Sequence, residues 1–411
     1  MRFIESLKLA GLLSFPPDME PFELESLNVL IGPNGSGKSN FIEAFELLRT
    51  LPADFAMAAS RAGGVRELIW KGEGGGLFES ASIGLTTRRP PGGLLTRPPA
   101  MDYLIEFDAV MNPVSGMDRI RIIREIISKS GSTEDGDGPV FYYRNELGDP
   151  AIILEQDIDK DTLNEGSQRE IDPSDISDNQ SVLAQFRDPN KYRQMFWLER
   201  NLPRIRIFRE WSFGPQSPVR QPQSVNMPEY RLLPDASNLA IIVNQLENQG
   251  RWQEFNDLLR RFFPRFERLS TWFIGGTIQL RLHEKGFDTP IPATRISDGT
   301  LRFIAMLAVL LSPEPPPLVC IEEPELGLHP DAVMLMGDVL KEASERMQLV
   351  VTTHSNALVS AFDDRANAIV TCERPGAGTV LRRLDPDALA DLLETYSLGH
   401  LWRQGELGAN P

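Results

Sequence analysis

The stretch GPNGSGKSN, at residues 32–40, constrains the fold more than any other part of this 411-residue chain. It fits the pattern G-x-x-x-x-G-K-[ST], in which glycines let the backbone wrap around a chain of phosphates. The strand-like segment LNVLI precedes it, and NFIEAFELLRTL, with apolar residues at helical spacing, follows it. A strand, a glycine loop and a helix in this order form a phosphate-binding unit. The sequence therefore predicts a phosphate-binding loop near residue 35 and an α/β fold around it.

The residues of this loop are expected to hold a nucleotide in different ways. Backbone N–H groups from residue 35 to residue 39 would point at the phosphates. The ammonium of Lys38 would reach the β- and γ-phosphates, and the hydroxyl of Ser39 would be a ligand of Mg²⁺. The predicted nucleotide-binding residues of the loop are Asn34, Gly35, Ser36, Gly37, Lys38, Ser39 and Asn40.

A pair of glutamates follows a second apolar strand in the segment PPPLVCIEEPELGLHP. Burying Glu322 and Glu323 at a strand end is costly unless a partner compensates their charges. We expect Glu322 to hold Mg²⁺, directly or through water, and Glu323 to orient or deprotonate the attacking water. Acidic residues also favour helix N-termini. Pro324 and the turn after it place the next helix near Asp331, which argues against that alternative.

The polar stretch RISDGTLRF, at residues 295–303, precedes a helical pattern. Ser297 is placed to cap the helix, with Asp298, Gly299 and Thr300 in or next to its first turn. A helix start of this composition leaves backbone N–H groups open to an anion. The sequence therefore predicts a second anion-binding element, far along the chain from the phosphate-binding loop.

A histidine follows another apolar strand in LVVTTHSN. A lone histidine is more often structural than catalytic. His354, however, follows a buried strand at the edge where the other motifs are expected, because sites in parallel sheets form at the carboxyl ends of strands. We therefore predict that His354 senses the γ-phosphate.

Composition limits the cellular setting of the chain. No apolar run is long enough to cross a bilayer, which predicts a protein without a membrane partner. Cys320 and Cys372 lie in apolar runs without metal-ligand spacing, so we expect buried, reduced thiols and a cytoplasmic location. The formal net charge of −16 gives no general attraction to nucleic acid. Binding to DNA would need a local basic surface or a groove made by assembly.

The middle of the chain alternates in charge. Residues 145–180 carry eleven acidic and two basic residues, which favours a solvated insertion over a regulatory or metal-binding loop. Residues 186–232 carry nine basic and four acidic residues among aromatics. Such a segment is typical of nucleic-acid surfaces, or of a helical subdomain whose aromatics form a core and whose arginines pair with the acidic insertion. We expect an amino-terminal lobe at 1–110, a β and helical insertion at 111–290, and a carboxy-terminal lobe at 291–411.

Four segments in this order resemble the ATP-binding-cassette type of ATPase: VLIGPNGSGKSN, RISDGTLR, CIEEPELGLHP and VVTTHS. The resemblance is closest to the RecF and SMC group and to bacterial predicted AAA-family ATPases. It implies an α/β P-loop head with a mixed core sheet, an amino-terminal antiparallel β subdomain and a helical insertion. OLD-type relatives add a nuclease domain after this head, and the residues after His354 are too few for one. SDGT replaces the SGGQ of transporters, and Glu322 replaces a common Asp.

The resemblance also implies how the two anion-binding elements meet. Two subunits pack head to tail, so that Ser297, Asp298, Gly299 and Thr300 cover the γ-phosphate of ATP held by the other subunit. Dimerisation would then depend on ATP, and hydrolysis would release it. Adenine contacts are expected near Ser14 and Phe15.

Several functions fit such a head. The first is a switch in DNA repair or genome maintenance, which the family and the basic aromatic segment favour. The second is a regulatory ATPase of an anti-phage defence or toxin system that controls a separate effector protein; the compact head without coiled-coil arms favours it. A transporter ATPase is disfavoured by the SMC-like signature, and a AAA+ ring motor by the signature helix. ATP turnover is common to the first two.

Overall fold

A computed structural model of the chain describes residues 2–72, 78–88, 98–112, 116–131, 140–147, 149–156, 166–209, 211–376 and 378–408. Its strands, in chain order, are β1 (Ile4–Ala10), β2 (Phe22–Glu23), β3 (Leu27–Ile31), β4 (Ala81–Thr87), β5 (Met101–Met111), β6 (Asp118–Lys129), β7 (Phe141–Glu146), β8 (Ala151–Gln156), β9 (Gly166–Ile171), β10 (Arg206–Phe208), β11 (Gln223–Ser224), β12 (Phe266–Ile274), β13 (Thr277–Glu284), β14 (Ile291–Pro292), β15 (Leu318–Glu322), β16 (Gln348–Thr352), β17 (Ile369–Glu373) and β18 (Val380–Arg383).

The α-helices of the same residues are α1 (Lys38–Thr50), α2 (Phe55–Arg61), α3 (Val65–Leu68), α4 (Val182–Gln185), α5 (Arg193–Asn201), α6 (Leu239–Glu247), α7 (Trp252–Phe262), α8 (Asp298–Leu310), α9 (Pro330–Ala343), α10 (Asn356–Ser360), α11 (Pro386–Leu393) and α12 (Leu398–Gln404). The apolar patterns predict helices at 298–312 and 331–346 and strands at 317–322 and 348–353, and α8, α9, β15 and β16 form within three residues of these bounds.

The core sheet has the strand order β10-β15-β16-β3-β17-β18. Its first five strands are parallel, and β18 pairs antiparallel with β17 at one edge. The predicted mixed core sheet is therefore confirmed. Strands β3, β15 and β16 are neighbours in this order, so the segments that follow them meet at one edge of the sheet, where α/β folds place their ligands.

Alternate residues of the buried strands face two separate cores. Val29 of β3 and Ile321 of β15 belong to a core shared with helices α6, α8, α9 and α10. Leu30 and Cys320, next to them in sequence, belong to a core shared with α1 and a second sheet. Because both faces are covered, these strands read as continuous apolar runs rather than alternating patterns. The P-loop helix α1 is held in the layer between the two sheets.

The second sheet is antiparallel, with the order β2-β1-β4-β5-β6-β7-β8-β9. The alternating runs DYLIEFDAV, DRIRIIREII and GPVFYYRN, between residues 102 and 145, predict a half-exposed antiparallel sheet, and the second sheet is the amino-terminal antiparallel β subdomain. It extends across residue 110, because β5 pairs with β6 along its whole length. The antiparallel sheet therefore continues past residue 110, where the amino-terminal lobe was expected to end.

The helical insertion contains a third, small sheet, in which β13 pairs with β11, β12 and β14. Helices α6 and α7 pack on it and lead, through β14, to the start of α8. Within the described residues, no helix is both long enough and apolar enough to span a membrane.

Candidate nucleotide-binding site

The loop before α1 has the backbone shape that a phosphate group needs. Gly37 occupies the position before the helix with a φ of 106°, and no side chain caps the first turn. The hydroxyl of Ser36 is buried and has no hydrogen-bond partner among the described residues. The N–H groups of the first turn are therefore open to an anion, which fits a nucleotide phosphate.

Lys38 lies at the centre of this loop and is almost completely buried, at 7% exposure. Its Nζ donates hydrogen bonds to the carbonyl oxygens of Gly32, at 2.7 Å, and Pro33, at 2.9 Å. Burial lowers the pKa of the Lys38 ammonium, while Glu323 and Glu322 oppose that shift. Lys38 is thus a buried cation already close to both glutamates of the predicted pair.

Three residues that are distant from the loop in sequence, Ser14, Cys372 and Thr379, pack against it and hold its backbone. The hydroxyl of Thr379 donates to the Ser36 carbonyl oxygen at 2.9 Å and lies 2.8 Å from the hydroxyl of Ser14. The Cys372 thiol donates to the same carbonyl oxygen at 3.2 Å. Burial raises the pKa of this thiol to about 11, so it is neutral at physiological pH. Cys320 and Cys372 are both buried free thiols.

This support predicts a difference between two loop glycines. A methyl group on Gly37 would overlap the Thr379 hydroxyl, whereas a methyl group on Gly35 meets no atom within 4 Å. Both glycines have positive φ, so either alanine adds backbone strain of about 1–2 kcal/mol. We expect Gly37→Ala to lower the free energy of unfolding by about 1–3 kcal/mol more than Gly35→Ala, through overpacking. Urea unfolding of the two variants checks this, and equal losses would contradict the packing.

Glu322 ends β15 beside the start of α1. Burial raises the pKa of its carboxyl group, while Arg209 and the nearby Ser39 oppose the rise. The Oε1 atom is buried without a hydrogen-bond donor among the described residues and lies 3.4 Å from Nε of Arg209. Arg209 also pairs with Glu43 and donates to the Ser39 carbonyl oxygen at 3.2 Å.

The neighbouring oxygens of Ser39 and Glu322 fit a magnesium ion. Mg²⁺ prefers hard oxygen ligands, and in nucleotide sites it takes one or two side chains together with phosphates and water. The buried Oε1 of Glu322, without a donor, is a polar atom for which such an ion would compensate. Within the described residues there is no group of three or more His, Cys, Asp or Glu side chains suited to a metal. The donor set therefore suits a nucleotide-bound ion.

Glu323 has an unusual backbone conformation. Its φ is +47°, in the left-handed region that non-glycine residues rarely adopt. Its N–H donates to the Thr352 carbonyl oxygen at 2.9 Å, which fixes the turn against β16. The carboxylate lies 3.9 Å from Nε2 of His354. Strain of this kind is typical of sites that must aim a side chain.

His354 is half-buried at the end of β16. Burial and the nearby Lys38 lower its pKa, and Glu323 opposes that shift. The imidazole is therefore neutral at physiological pH. The fixed position of its backbone comes from Glu325, whose Oε1 accepts from the His354 N–H at 3.0 Å and from the Thr353 hydroxyl at 2.5 Å. Glu325 is a site residue that the sequence analysis did not identify.

Ser297 lies in the segment RISDGTLRF, residues 295–303, which we call the signature stretch. It caps α8 and is exposed. The Ser297 Oγ accepts from the Thr300 N–H at 3.2 Å, as predicted for an N-cap. A methyl group on Gly299 would overlap the carbonyl oxygen of Gly327, so this helix start packs closely on the turn after the glutamate pair. Ser297 and Asp298 face the solvent.

Arg220, from the insertion, fixes the signature stretch. It is 5% exposed and donates to the carbonyl oxygens of Ala293 and Ile296, at 2.8 and 2.7 Å. It also pairs with the carboxylate of Asp298. Asp298 is thus a partner of Arg220 in this chain, in addition to its predicted role towards a nucleotide. A buried arginine that must satisfy distant carbonyls leaves no signal in the local sequence.

The structure brings most predicted residues together. Lys38, Ser39, Glu322, Glu323 and His354 meet at the carboxyl edge of the core sheet. Asn34 and Gly35 are exposed at the tip of the loop, and Asn40 is half-buried on α1.

The adenine contacts expected near Ser14 and Phe15 stay a prediction, but Phe15 itself is closed to a ligand. Its ring is fully buried and packs on Phe41 at a centroid distance of 6.1 Å. The nearby Ser14 supports the loop through Thr379.

The fold and these motifs define a P-loop ATPase head of the ABC and SMC type. Two solved SMC heads are similar in fold. One, bound to the C-winged helix domain of ScpA, is 14% identical with a TM-score of 0.55, covering 94% of this chain and 99% of that one. The other, from Pyrococcus furiosus, has an extended coiled coil and is 13% identical with a TM-score of 0.53, covering 96% and 99%.

The family follows from a second comparison. Residues 27–360 match the family described as "AAA domain, putative AbiEii toxin, Type IV TA system". The chain belongs to this family. It is also 29% identical, over 176 residues, to the Old nuclease of Escherichia phage P2. That alignment covers 38% of this chain and 29% of the nuclease. Together with the fold, this family confirms the expected resemblance to SMC-like ATPases of the ABC type.

Proposed function

We propose that the chain binds and hydrolyses ATP with Mg²⁺, at a site that a second copy of the chain completes. The observation that carries the proposal is the meeting of Lys38, Ser39, Glu322 and Glu323 at one edge of the core sheet. A buried ammonium, an open helix start and two carboxylates at strand ends are the groups that phosphoryl transfer to water requires.

Each residue has a distinct part in this reaction. The N–H groups of the first turn of α1 and the Lys38 ammonium hold the phosphates and offset their charge. Glu322 and Ser39 hold the metal, which, when bound, supplies positive charge to the phosphate oxygens. Glu323 orients the attacking water and accepts its proton. The neutral imidazole of His354, 3.9 Å from Glu323, hydrogen-bonds at the position of the γ-phosphate.

The second copy supplies the start of α8. Ser297 and Asp298 are exposed, and Arg220 together with the turn at Gly327 holds the helix start rigidly outward. In a head-to-tail pair this start would cover the γ-phosphate held by the partner copy. Such an arrangement links ATP binding to dimerisation and hydrolysis to release.

Substitution of Ser297 tests the shared site. Ser297→Arg places a bulky cation at the helix start without disturbing the copy's own phosphate-binding loop. We expect ATP binding to be retained, ATP-dependent dimers to be lost, and turnover to fall by about 100-fold, as for the loss of a preorganised donor. Ser167→Arg, at an exposed position of β9, is the control and should behave as the natural chain does. Normal turnover of Ser297→Arg would exclude the shared site.

We further propose that this ATP-switched pair acts on DNA in repair or genome maintenance. The SMC-type head fold supports this role, and the net charge of −16 opposes a general attraction to DNA. The test measures ATP turnover with and without linear duplex DNA at several protein concentrations. Turnover that rises steeply with protein concentration, and rises further with DNA, is the expected result. Indifference to DNA would contradict this role.

The second candidate is a regulatory ATPase of an anti-phage defence or toxin system, acting on a separate effector protein. The family description and the similarity to a phage nuclease favour it. Turnover that is indifferent to DNA, yet changes when a co-encoded protein is added, is the result that would support this role.

A further inference from the structure

A cavity of about 380 Å³ lies away from the phosphate-binding loop. Arg206, at its wall, begins β10 and pairs with Val319 at the start of β15. Arg209, just beyond the other end of β10, reaches Glu322. The cavity therefore lies at the amino edge of the core sheet, opposite the nucleotide site. We call it the arginine cavity, after Arg204, Arg206 and Arg231, which line it.

The three arginines have no carboxylate partner within ion-pair distance among the described residues. Arg206 is half-buried, and its guanidinium donates to the carbonyl oxygens of Pro203, at 2.8 Å, and Ile205, at 3.4 Å. Burial, followed by the charges of Arg231, Arg49 and Arg204, lowers the pKa of Arg206 to about 10.

Two exposed carboxylates, Glu229 and Glu314, also line the cavity. Glu229 accepts a hydrogen bond from Gln245 at 2.8 Å. The neighbouring charges of Arg204, Arg206 and Arg231 repel one another. A bound anion would lower this electrostatic cost.

The rest of the cavity suits a flat, partly apolar group. Leu232, Ile242 and Leu246 form an apolar wall, and Tyr230 stands beside them with 65% of its surface exposed. An exposed tyrosine next to an arginine cluster offers a face for stacking. The volume falls within the range of about 300–1,000 Å³ that is usual for small-molecule sites.

A second cavity, of about 630 Å³, adjoins the first and shares Arg204 and Glu314 with it. It adds Trp197 and Arg200, and the Arg200 guanidinium lies 5.8 Å from the centre of the Phe196 ring. The basic aromatic segment 186–232 thus divides into two parts. Tyr192, Phe208, Trp211 and Phe213 are buried in the cores. Phe196, Trp197 and Tyr230 line the two cavities, and Phe186 packs on Tyr192.

We propose that the arginine cavity binds the phosphate of a nucleotide, carried either by a free nucleotide or by a single strand of nucleic acid. The phosphate would lie among Arg204, Arg206 and Arg231, with the base against Tyr230. In the case of a strand, the next nucleotides would continue over Trp197 in the second cavity. Binding here does not depend on the proposed ATPase function.

The cavity is placed to influence the nucleotide site. Ala308 and Val309, in the last turn of α8, line it, and the first turn of the same helix carries the signature residues. Strand β10 begins at Arg206 in the cavity, and Arg209, just beyond its other end, lies beside Glu322. A ligand at this position contacts both elements, and we expect its binding to change ATP turnover.

Binding is tested in full-length protein carrying Lys38→Ala, so that the phosphate-binding loop does not compete. The probes are AMP, a fluorescent oligothymidylate and inorganic phosphate, measured by calorimetry or anisotropy. We expect AMP or the oligothymidylate to bind, and Arg206→Gln to weaken that binding by about tenfold, as for the loss of one charged hydrogen bond. Arg403→Gln, an exposed substitution on α12, is the matched control and should have no effect.

The outcomes distinguish a free nucleotide from a single strand of nucleic acid as the carrier of the phosphate. Binding of AMP alone identifies a free nucleotide, and binding of the oligothymidylate with weak AMP binding identifies a strand. Arg231→Gln changes an exposed residue, so it repeats the test if Arg206→Gln is unstable. Absence of binding by both probes, or binding that neither variant weakens, overturns the proposal. The result would stand even if the chain did not hydrolyse ATP, because the protein already carries Lys38→Ala and the weaker binding is caused by the change at Arg206.

Discussion

Replacement of Lys38 by alanine is expected to weaken ATP binding by at least about 100-fold. The ammonium is the only side-chain cation that we place on the β- and γ-phosphates, and charged hydrogen bonds contribute about 1.5–3 kcal/mol each. The same substitution removes two hydrogen bonds within the loop, to Gly32 and Pro33. Calorimetric titration with ATP and Mg²⁺ measures the affinity directly.

Two further variants separate charge from packing. Lys38→Met keeps the apolar stem and most of the volume, so it should lose as much affinity as Lys38→Ala while losing less stability. Lys71→Ala removes an exposed ammonium that pairs with Glu67 on the surface, and its affinity should be unchanged. An affinity for ATP that survives both Lys38 substitutions would exclude this loop as the nucleotide site.

The residues that sequence reasoning could place are those held by local patterns. The glycines and Lys38 follow from a nine-residue motif between a strand and a helix. The grouping of Glu322, Glu323 and His354 follows from a general rule, because neighbouring parallel strands bring their carboxyl ends to one edge. Neither inference needs knowledge of the insertion, and the order of β15, β16 and β3 does bring the segments after these strands to one edge of the sheet.

The residues that sequence reasoning missed act across long separations. Arg209 reaches Glu43 from 166 positions away, and Thr379 reaches Ser36 from 343 positions away. Arg220 satisfies carbonyl groups of the signature stretch more than seventy positions later. Each of these contacts depends on how distant segments of the chain fold together, which no spacing in the chain encodes.

The acidic and basic segments illustrate the same limit. Their opposite charges suggested pairing with each other, yet the described acids of residues 145–180 that form ion pairs have partners outside residues 186–232, and only Glu155 also accepts a hydrogen bond from Tyr192 of that segment. Asp178 pairs with Arg119 of β6, and Glu155 pairs with Arg169 of β9. The two pairs lie within or beside the antiparallel sheet, which leaves several arginines of the basic segment free to line the arginine cavity. Charge balance over a segment therefore does not identify partners.

The second large effect is expected at Glu323. Glu323→Gln keeps the size and the strained turn but removes the base, so ATP should still bind while turnover falls by about 100- to 10,000-fold. Because hydrolysis would release the pair, the variant should accumulate as a dimer when ATP and Mg²⁺ are present. Single-turnover hydrolysis and light scattering measure the two effects.

Glu322→Gln is the adjacent control, and it distinguishes a base from a metal ligand. Loss of this carboxylate should raise the Mg²⁺ concentration needed for turnover, whereas Glu323→Gln should leave that concentration unchanged. The difference follows from position, since Glu322 contacts Ser39 and Arg209 beside α1 and Glu323 turns away towards His354. Natural turnover by Glu323→Gln would remove Glu323 from the reaction.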